Sequence, residues 1–141
     1  MPKPDKNTEN LPVIVLGIVK NSNNEVLIIQ RTKDEKSTQL SLSWAFPGGE
    51  VESGEIKEQT VERELLEETG FQVTAISTIS ERKHPQFPVY VYYLECKLVS
   101  ETPERKNRDD EVEKIKWVKP SQLSNFFTTN LDSKVASYLH I

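Results

Sequence analysis

Residues 49–71 read GEVESGEIKEQTVERELLEETGF and contain the frame G-x5-E-x7-R-E-L-x-E-E-x-G-F. Gly49, Glu55, Arg63, Glu64, Glu67, Glu68 and Gly70 hold its charged and glycine positions, with Leu65 and Phe71 at the apolar ones. At this chain's glycine and glutamate frequencies such a frame arises by chance on the order of once in ten million chains of this length. It describes a glycine-rich turn followed by a short helix crowded with carboxylates.

The spacing predicts a helix from about Glu55 to Thr69. Ser53 is the expected cap, Glu55 and Glu58 suit the positive end of the helix dipole, and Gly70 suits a left-handed C-terminal stop. Glu64, Glu67 and Glu68 stand at i, i+3 and i+4, so they project from one face, while Val61, Leu65 and Thr69 lie roughly opposite and can pack on a sheet. Like charges four apart oppose the helix by about 0.2–0.5 kcal/mol each, and Glu62 adds another anion. A hard divalent cation removes that penalty, and a ligand set made only of oxygen suits Mg²⁺ or Mn²⁺ better than zinc. Gly48 and Gly49 let the main chain approach a ligand closely, which makes a main-chain carbonyl of the turn a candidate donor. Arg63 offers a planar fork that can fix a neighbouring carboxylate. Metal, carboxylates and a backbone loop together suit hydrolysis of a phosphoanhydride. The ion neutralises phosphate charge while a spare carboxylate takes the proton of the attacking water. Glutamates alone would read as a solvated helix face; Gly49, Glu55, Arg63 and Gly70 in register set that reading aside.

Outward from the box, short apolar runs alternate with turn residues. Val13–Val19 is apolar on both faces, as in a strand at the middle of a sheet. Asn21–Asn24 is a turn cluster and Val26–Ile29 the returning strand of a hairpin. Residues 32–43 read as a surface loop, and Trp44–Phe46 as a short strand that Pro47-Gly48-Gly49 is expected to end. Beyond the box, Phe71–Ile79 reads as a strand. Tyr90, Tyr92, Leu94, Cys96 and Leu98 alternate, which predicts a longer strand with one buried face. A charged loop over 100–111 precedes a strand over Val112–Val118. Ser121 is the expected cap of a helix carrying Leu123, Phe126 and Phe127, and Leu131, Val135 and Leu139 sit four apart on a last short helix. Residues 1–10 read as a flexible tail and 11–141 as a single domain.

Composition narrows the partners. The chain has 141 residues, a net charge of −4 and a pI near 5.3, which argues against broad binding of nucleic-acid polymers or anionic membranes. An acidic protein still binds a polyphosphate where a metal inverts the local field. Cys96 is the sole cysteine, so neither an intrachain disulfide nor a cysteine-rich zinc site is available, and its place on the apolar side of its strand reads as structural. No apolar run approaches the length needed to cross a bilayer, and MPKPDKNTEN lacks the apolar stretch of a secretory signal, so a cytoplasmic location is expected.

The box is similar to the signature of the Nudix hydrolases and matches it at each defining position, Phe71 being a less common choice at the last apolar site. The order of elements around it resembles a Nudix domain over nearly the whole chain. The resemblance implies an α/β fold, a Nudix-type α/β/α sandwich with a central mixed sheet. It implies hydrolysis of the pyrophosphate linkage in a nucleoside diphosphate derivative, with Mg²⁺ as cofactor and Mn²⁺ as a substitute. Carried over by position, Glu64 and Glu68 become the principal metal ligands, and Glu67 a further ligand or the base that activates water. The Gly49 carbonyl completes the coordination. Arg63 and Glu55 brace loop and helix, with Gly48 and Gly70 supporting the turn and the helix end. Some members take the base from a later loop, where Glu111 is the candidate. Ser43–Gly49 (SWAFPGG) resembles small nucleoside-triphosphate-cleaving, MutT-like members. That favours an NTP or dNTP substrate, oxidised forms included, giving a nucleoside monophosphate and pyrophosphate. ADP-ribose, sugar-nucleotide and dinucleoside polyphosphate substrates stay open, as does a non-catalytic nucleotide-sensing module, although such modules tend to lose box glutamates. The expected partner is a small nucleotide, with neither nucleic acid nor membrane, on a monomer or homodimer.

Four residues outside the box are candidates for substrate contact. Arg31 ends a strand and offers a fork to a phosphate or to a surface ion pair. Trp44 and Phe46 flank the box and suit either base stacking or the core. His84 lies in the loop before the tyrosine-rich strand, where it can meet a phosphate or stand idle.

Overall fold

A computed structural model describes residues 10–32, 44–104 and 112–141. Most of the expected tail, the surface loop from residue 33 on, and the end of the charged loop with Glu111 lie outside the described residues. The elements are β1 (Val13–Lys20), β2 (Val26–Arg31), β3 (Trp44–Ala45), β4 (Gly48–Glu50), α1 (Lys57–Thr69), β5 (Val73–Lys83), β6 (Tyr90–Leu98), β7 (Val112–Val118), a 3-10 helix over Pro120–Asn125, and α2 (Ser133–Tyr138).

Among the described residues, seven strands form one mixed sheet in the order β3-β2-β1-β6-β5, with β4 added to β1 and β7 to β2. β1 runs parallel to β6 over its length, from Val13 opposite Tyr90 to Lys20 opposite Lys97. The remaining pairings are antiparallel. The apolar residues of β1 divide between two cores. Val15 and Val19 join Leu27, Tyr92 and Leu94 beneath Val61 and Leu65 of α1. Ile18 joins Val26, Ile28, Phe46 and Tyr93 beneath Leu123, Val135 and Leu139. Helices thus cover both faces, and the molecule is the α/β/α sandwich that the resemblance implies. Gly17 decides how closely α1 approaches: a Cβ there would lie 3.1 Å from both Leu65 Cδ1 and Val61 Cγ2. Strand and helix meet at the one position of β1 without a side chain.

Several boundaries differ from expectation. The strand expected over Trp44–Phe46 does stop before Pro47, ending at Ala45, but Gly48-Gly49 is itself part of a strand, β4, with Leu16 opposite Gly48 and Val15 opposite Gly49. A Cβ on Gly48 would fall 2.0 Å from the Val15 carbonyl oxygen, so the glycine permits the pairing. α1 starts later than Glu55 and is not capped by Ser53. Ile56 is its cap, its N–H donating to Gln59 Oε1 at 3.3 Å, because Gly54 at φ 87° turns the chain. Gly70 at φ 80° does close the helix, donating to the Leu66 carbonyl. β5 runs on past Ile79, since its ladder with β6 continues to Lys83 opposite Tyr90. β6 is buried on both faces: Tyr92, Leu94 and Cys96 face the α1 core, Val91 and Tyr93 the opposite one. Its place between β1 and β5, under helices on each side, removes the solvent face that alternation predicted. Lys119, followed by a proline at the first helical position, replaces Ser121 as the cap of the 3-10 helix, and Phe126 and Phe127 lie just beyond its end. Asp132 caps α2, accepting from the Lys134 and Val135 N–H groups, so Leu131 precedes that helix and Leu139 closes it.

Candidate active site

The glycine turn is held flat against β1. The Gly17 N–H donates to the Pro47 carbonyl and the Val51 N–H to the Val13 carbonyl, each at 2.8 Å. Gly49 then faces α1 so closely that a Cβ on it would lie 2.7 Å from Glu64 Cδ. A side chain at this position would displace the Glu64 carboxylate from its place beside β4.

Arg63 is the hub of the helix face. Its Nε donates to Glu55 Oε2 at 2.8 Å and its Nη2 to Glu55 Oε1 at 3.0 Å, a two-pronged grip. Its Nη1 donates to Glu64 Oε1 at 3.1 Å and to Glu67 Oε2 at 3.2 Å. Thr60 Oγ1 adds a further donor to Glu55 Oε1 at 3.0 Å. The Arg63 hydrogen bonds hold the Glu55 carboxyl down at about 2, and Glu55 in turn drives the Arg63 pKa upward. Glu55 sits before the helix and braces it from outside.

Glu68 is the buried member, 1% exposed. The Gly48 N–H donates to its Oε1 at 2.8 Å and Arg31 Nη1 to its Oε2 at 2.8 Å, while Arg31 Nη2 donates to the Gly48 carbonyl at 3.0 Å. Burial pushes the Glu68 carboxyl up to about 7 against the pull of Arg31 and of the Gly48 N–H. Glu64 is also raised, burial outweighing Arg63. The site therefore combines a fully ionised brace with two carboxylates whose charge the arginines compensate only in part.

A hard divalent cation fits this donor set. The acceptors are all oxygen, and Glu64, Glu67 and Glu68 share one stretch of α1, with Glu64 close against Gly49 of β4. Among the described residues no three acidic, histidine or cysteine side chains already converge as a finished metal site. Glu64 and Glu67 turn to Arg63, and Glu68 to Arg31.

The remaining candidates separate. Arg31 does form an ion pair, but with buried Glu68 and not on the surface; its fork is engaged by the site itself. Phe46 is corrected from a stacking residue to a core residue: it is 3% exposed and meets Phe127 edge-on at 4.9 Å, which leaves no free face for a base. Trp44 is half-buried and meets Phe126 edge-on at 5.3 Å. His84 lies in the turn between β5 and β6. There its Nδ1 accepts from the Gln86 N–H at 3.0 Å, and burial, with Arg82 nearby, holds its pKa below the ordinary histidine value. Glu111 lies outside the described residues. Sequence reasoning missed Thr60, Gly17 and the Arg31–Glu68 link. Gly17 did carry a signal, a glycine inside an apolar strand.

A profile of the NUDIX domain matches residues 10–139. The chain belongs to the Nudix family. Nudix hydrolases generally use divalent metal ions, in keeping with the donor set. Among relatives, the 8-oxo-dGTP diphosphatase of Escherichia coli (strain K12) is 40% identical over 75 residues, 53% of this chain and 55% of that enzyme. The match thus spans little more than half of that relative's length. The 8-oxo-dGTP diphosphatase of Proteus vulgaris is 35% identical over 88 residues, 62% of this chain and 75% of that enzyme. A Nudix hydrolase from Nitrosomonas europaea superposes with a TM-score of 0.73 at 18% identity, covering 93% of this chain and 87% of that one, a likeness of fold. Among the described residues of this Nudix chain, no helix is long and apolar enough to cross a membrane.

Proposed function

We propose that the chain is a metal-dependent nucleotide pyrophosphohydrolase that cleaves a nucleoside triphosphate, with oxidised deoxynucleotides as leading substrates, into a nucleoside monophosphate and pyrophosphate. The observation that carries this reading is the close approach of Glu64 to Gly49, with Glu67 and Glu68 on the same stretch of α1. The retained box glutamates favour catalysis over nucleotide sensing alone. Relatives named for 8-oxo-dGTP support the substrate class. Mg²⁺ is the proposed ion, with Mn²⁺ as substitute and Gly49, Glu64, Glu67 and Glu68 as the residues that hold it. When bound, the ion neutralises phosphate charge and lowers the cost of charge on the reacting oxygens.

The protein groups act around that ion. Arg63 and Glu55 keep α1 and the glycine turn in fixed relation, so the carboxylates stay aligned with the phosphates. Water attacks a phosphorus of the anhydride, a carboxylate takes its proton, the bond from that phosphorus to the bridging oxygen breaks, and the bridging oxygen leaves on the other product. Glu67 suits the role of base because its side chain is 40% exposed and its acceptors are held at no less than 3.2 Å by Arg63. Glu111 is the second candidate. Comparing Glu67→Gln with Glu111→Gln locates the base by the larger loss of turnover, and a small loss in both rules out the pair. The substrate is proposed to come from the free nucleotide pool of the cytoplasm.

The overall test is release of pyrophosphate and monophosphate from a panel of nucleotides with Mg²⁺ or Mn²⁺ at alkaline pH. Turnover of 8-oxo-dGTP above dGTP is the expected result. Failure to turn over any nucleotide sinks the enzyme reading, and preference for ADP-ribose or a sugar nucleotide replaces the substrate.

A further inference from the structure

The end of the sheet remote from the box carries a second concentration of charge. Lys20 closes β1 and stands directly opposite Lys97 of β6 in the parallel ladder. It lies four residues beyond Leu16, which pairs with Gly48, so about 13 Å of strand separates it from the glycine turn. Alternation places both lysines on the α2 face of the sheet, the face of Ile18 and Tyr93. Their main chains are roughly 4.8 Å apart, and like charges so placed oppose the pairing of the strands.

Both lysines line a cavity of about 550 Å³ whose walls include Tyr138, Val99, Glu95 and Glu101. The two carboxylates are committed elsewhere. Glu95 accepts from Ser77 Oγ at 3.1 Å and from the Tyr138 hydroxyl at 3.0 Å, and Glu101 accepts from the Ser22 N–H at 2.7 Å. Lys20 Nζ stands 4.5 Å from the Tyr138 ring centroid, directed across the cavity toward α2. Among the described residues neither lysine forms an ion pair. The anions of this cavity are thus matched by protein donors, and the two cations are not. A single phosphate group, doubly charged and accepting from two ammonium groups at once, removes their repulsion. The cavity has the size of a small-molecule site and exceeds what a bare phosphate fills. Val99, 55% exposed on its wall, supplies an apolar surface for a further part of the ligand.

We propose that Lys20 and Lys97 form a binding site, separate from the box, for a small organic phosphate whose phosphate bridges the two ammonium groups and whose apolar part lies along Val99. The site does not depend on what the box hydrolyses. Its occupant ties the end of β1 to the end of β6 by charge, in addition to the ladder between them.

The test is titration calorimetry of the metal-free protein in chelator and low salt, with phenyl phosphate and with inorganic phosphate as probes. Neither probe is a nucleotide, so the outcome is independent of the activity of the box. Lys20→Met and Lys97→Met are compared with Lys116→Met, which removes the same charge from an exposed position on β7 opposite Ile28. We expect saturable binding of phenyl phosphate to wild type, weakened about tenfold or more by Lys20→Met and by Lys97→Met and unchanged by Lys116→Met. Lys97→Arg keeps the charge and is expected to keep the binding. Phenyl phosphate should raise the Tm of wild type and leave that of the two methionine variants in place. Tighter binding of phenyl phosphate than of inorganic phosphate is expected from the contact with Val99. The proposal is overturned if wild type shows no saturable binding, if Lys20→Met and Lys97→Met bind as wild type does, or if Lys116→Met weakens binding as much. Equal affinity for the two probes would overturn the organic part of the assignment.

Discussion

Two arginines each tie together a cluster of side chains, and they reach across very different lengths of chain. Arg63 grips Glu55 eight residues before it and Glu67 four residues after it. Arg82 grips Asn130 at a separation of 48 residues, beside a Ser80–Asp132 bond that spans 52. The Arg63 cluster needs little more than the turns of α1 and the chain just before it. The Arg82 cluster exists only once β5, β6 and α2 have all docked. The difference teaches that the box cluster is locally encoded, while the cluster around Arg82 is a product of the whole fold.

The sharpest way to break that contrast is Glu68→Gln. Glutamine still accepts from the Gly48 N–H but turns its amide N–H groups toward Arg31, so the fold should be kept at a modestly lower Tm. Turnover should fall by several orders of magnitude; near-normal pyrophosphate release would refute Glu68 as a ligand. Arg63→Ala comes next, because it frees Glu55, Glu64 and Glu67 together. We expect a loss of about 10–100-fold in activity, expressed in kcat and metal affinity. A change confined to KM would contradict its role in holding the carboxylates. Gly17→Val should cost about 1–3 kcal/mol by overpacking against Leu65 and Val61, read from urea unfolding. A neutral result would mean that α1 does not depend on the gap in β1.

The mildest test is pH. The Glu68 carboxyl sits at about 7 in the fold and has an ordinary value of 4.5, so the metal-free fold holds this proton more tightly than the unfolded chain does. Its contribution to metal-free stability is present at low pH and is lost as pH rises through about 7. Metal affinity should move the other way, weakening as pH falls through about 7, because proton and cation compete for one carboxylate. Parallel trends in chelator and in Mg²⁺ would contradict the assignment of Glu68.

The sequence carried the box well because its meaning lies in helical spacing over a short stretch, and the apolar runs placed most strands. What it did not carry depended on partners remote in sequence. Gly48-Gly49 reads as a breaker until β1 lies beside it, and then it is β4. The second buried face of β6 follows from its neighbours and from the helices above and below. Phe46 reads as an aromatic beside a site until Phe127 arrives against it from the far end of the chain. Arg82 and Asp132 carry no local sign, since one lies in a polar stretch of strand and the other stands between Leu131 and Val135, whose spacing reads as one continuous helix.

The arginines that hold the box also fix its charge. Glu55, Glu64, Glu67 and Glu68, when ionised, face Arg31 and Arg63, so four negative charges meet two positive ones and two negative charges remain. A single divalent cation brings the cluster to electroneutrality. Any further cation must then be balanced by charge that the protein does not own, and a polyphosphate is the natural carrier of it. Affinity for additional ions and affinity for nucleotide are consequently two faces of one coupling, each raised by the presence of the other.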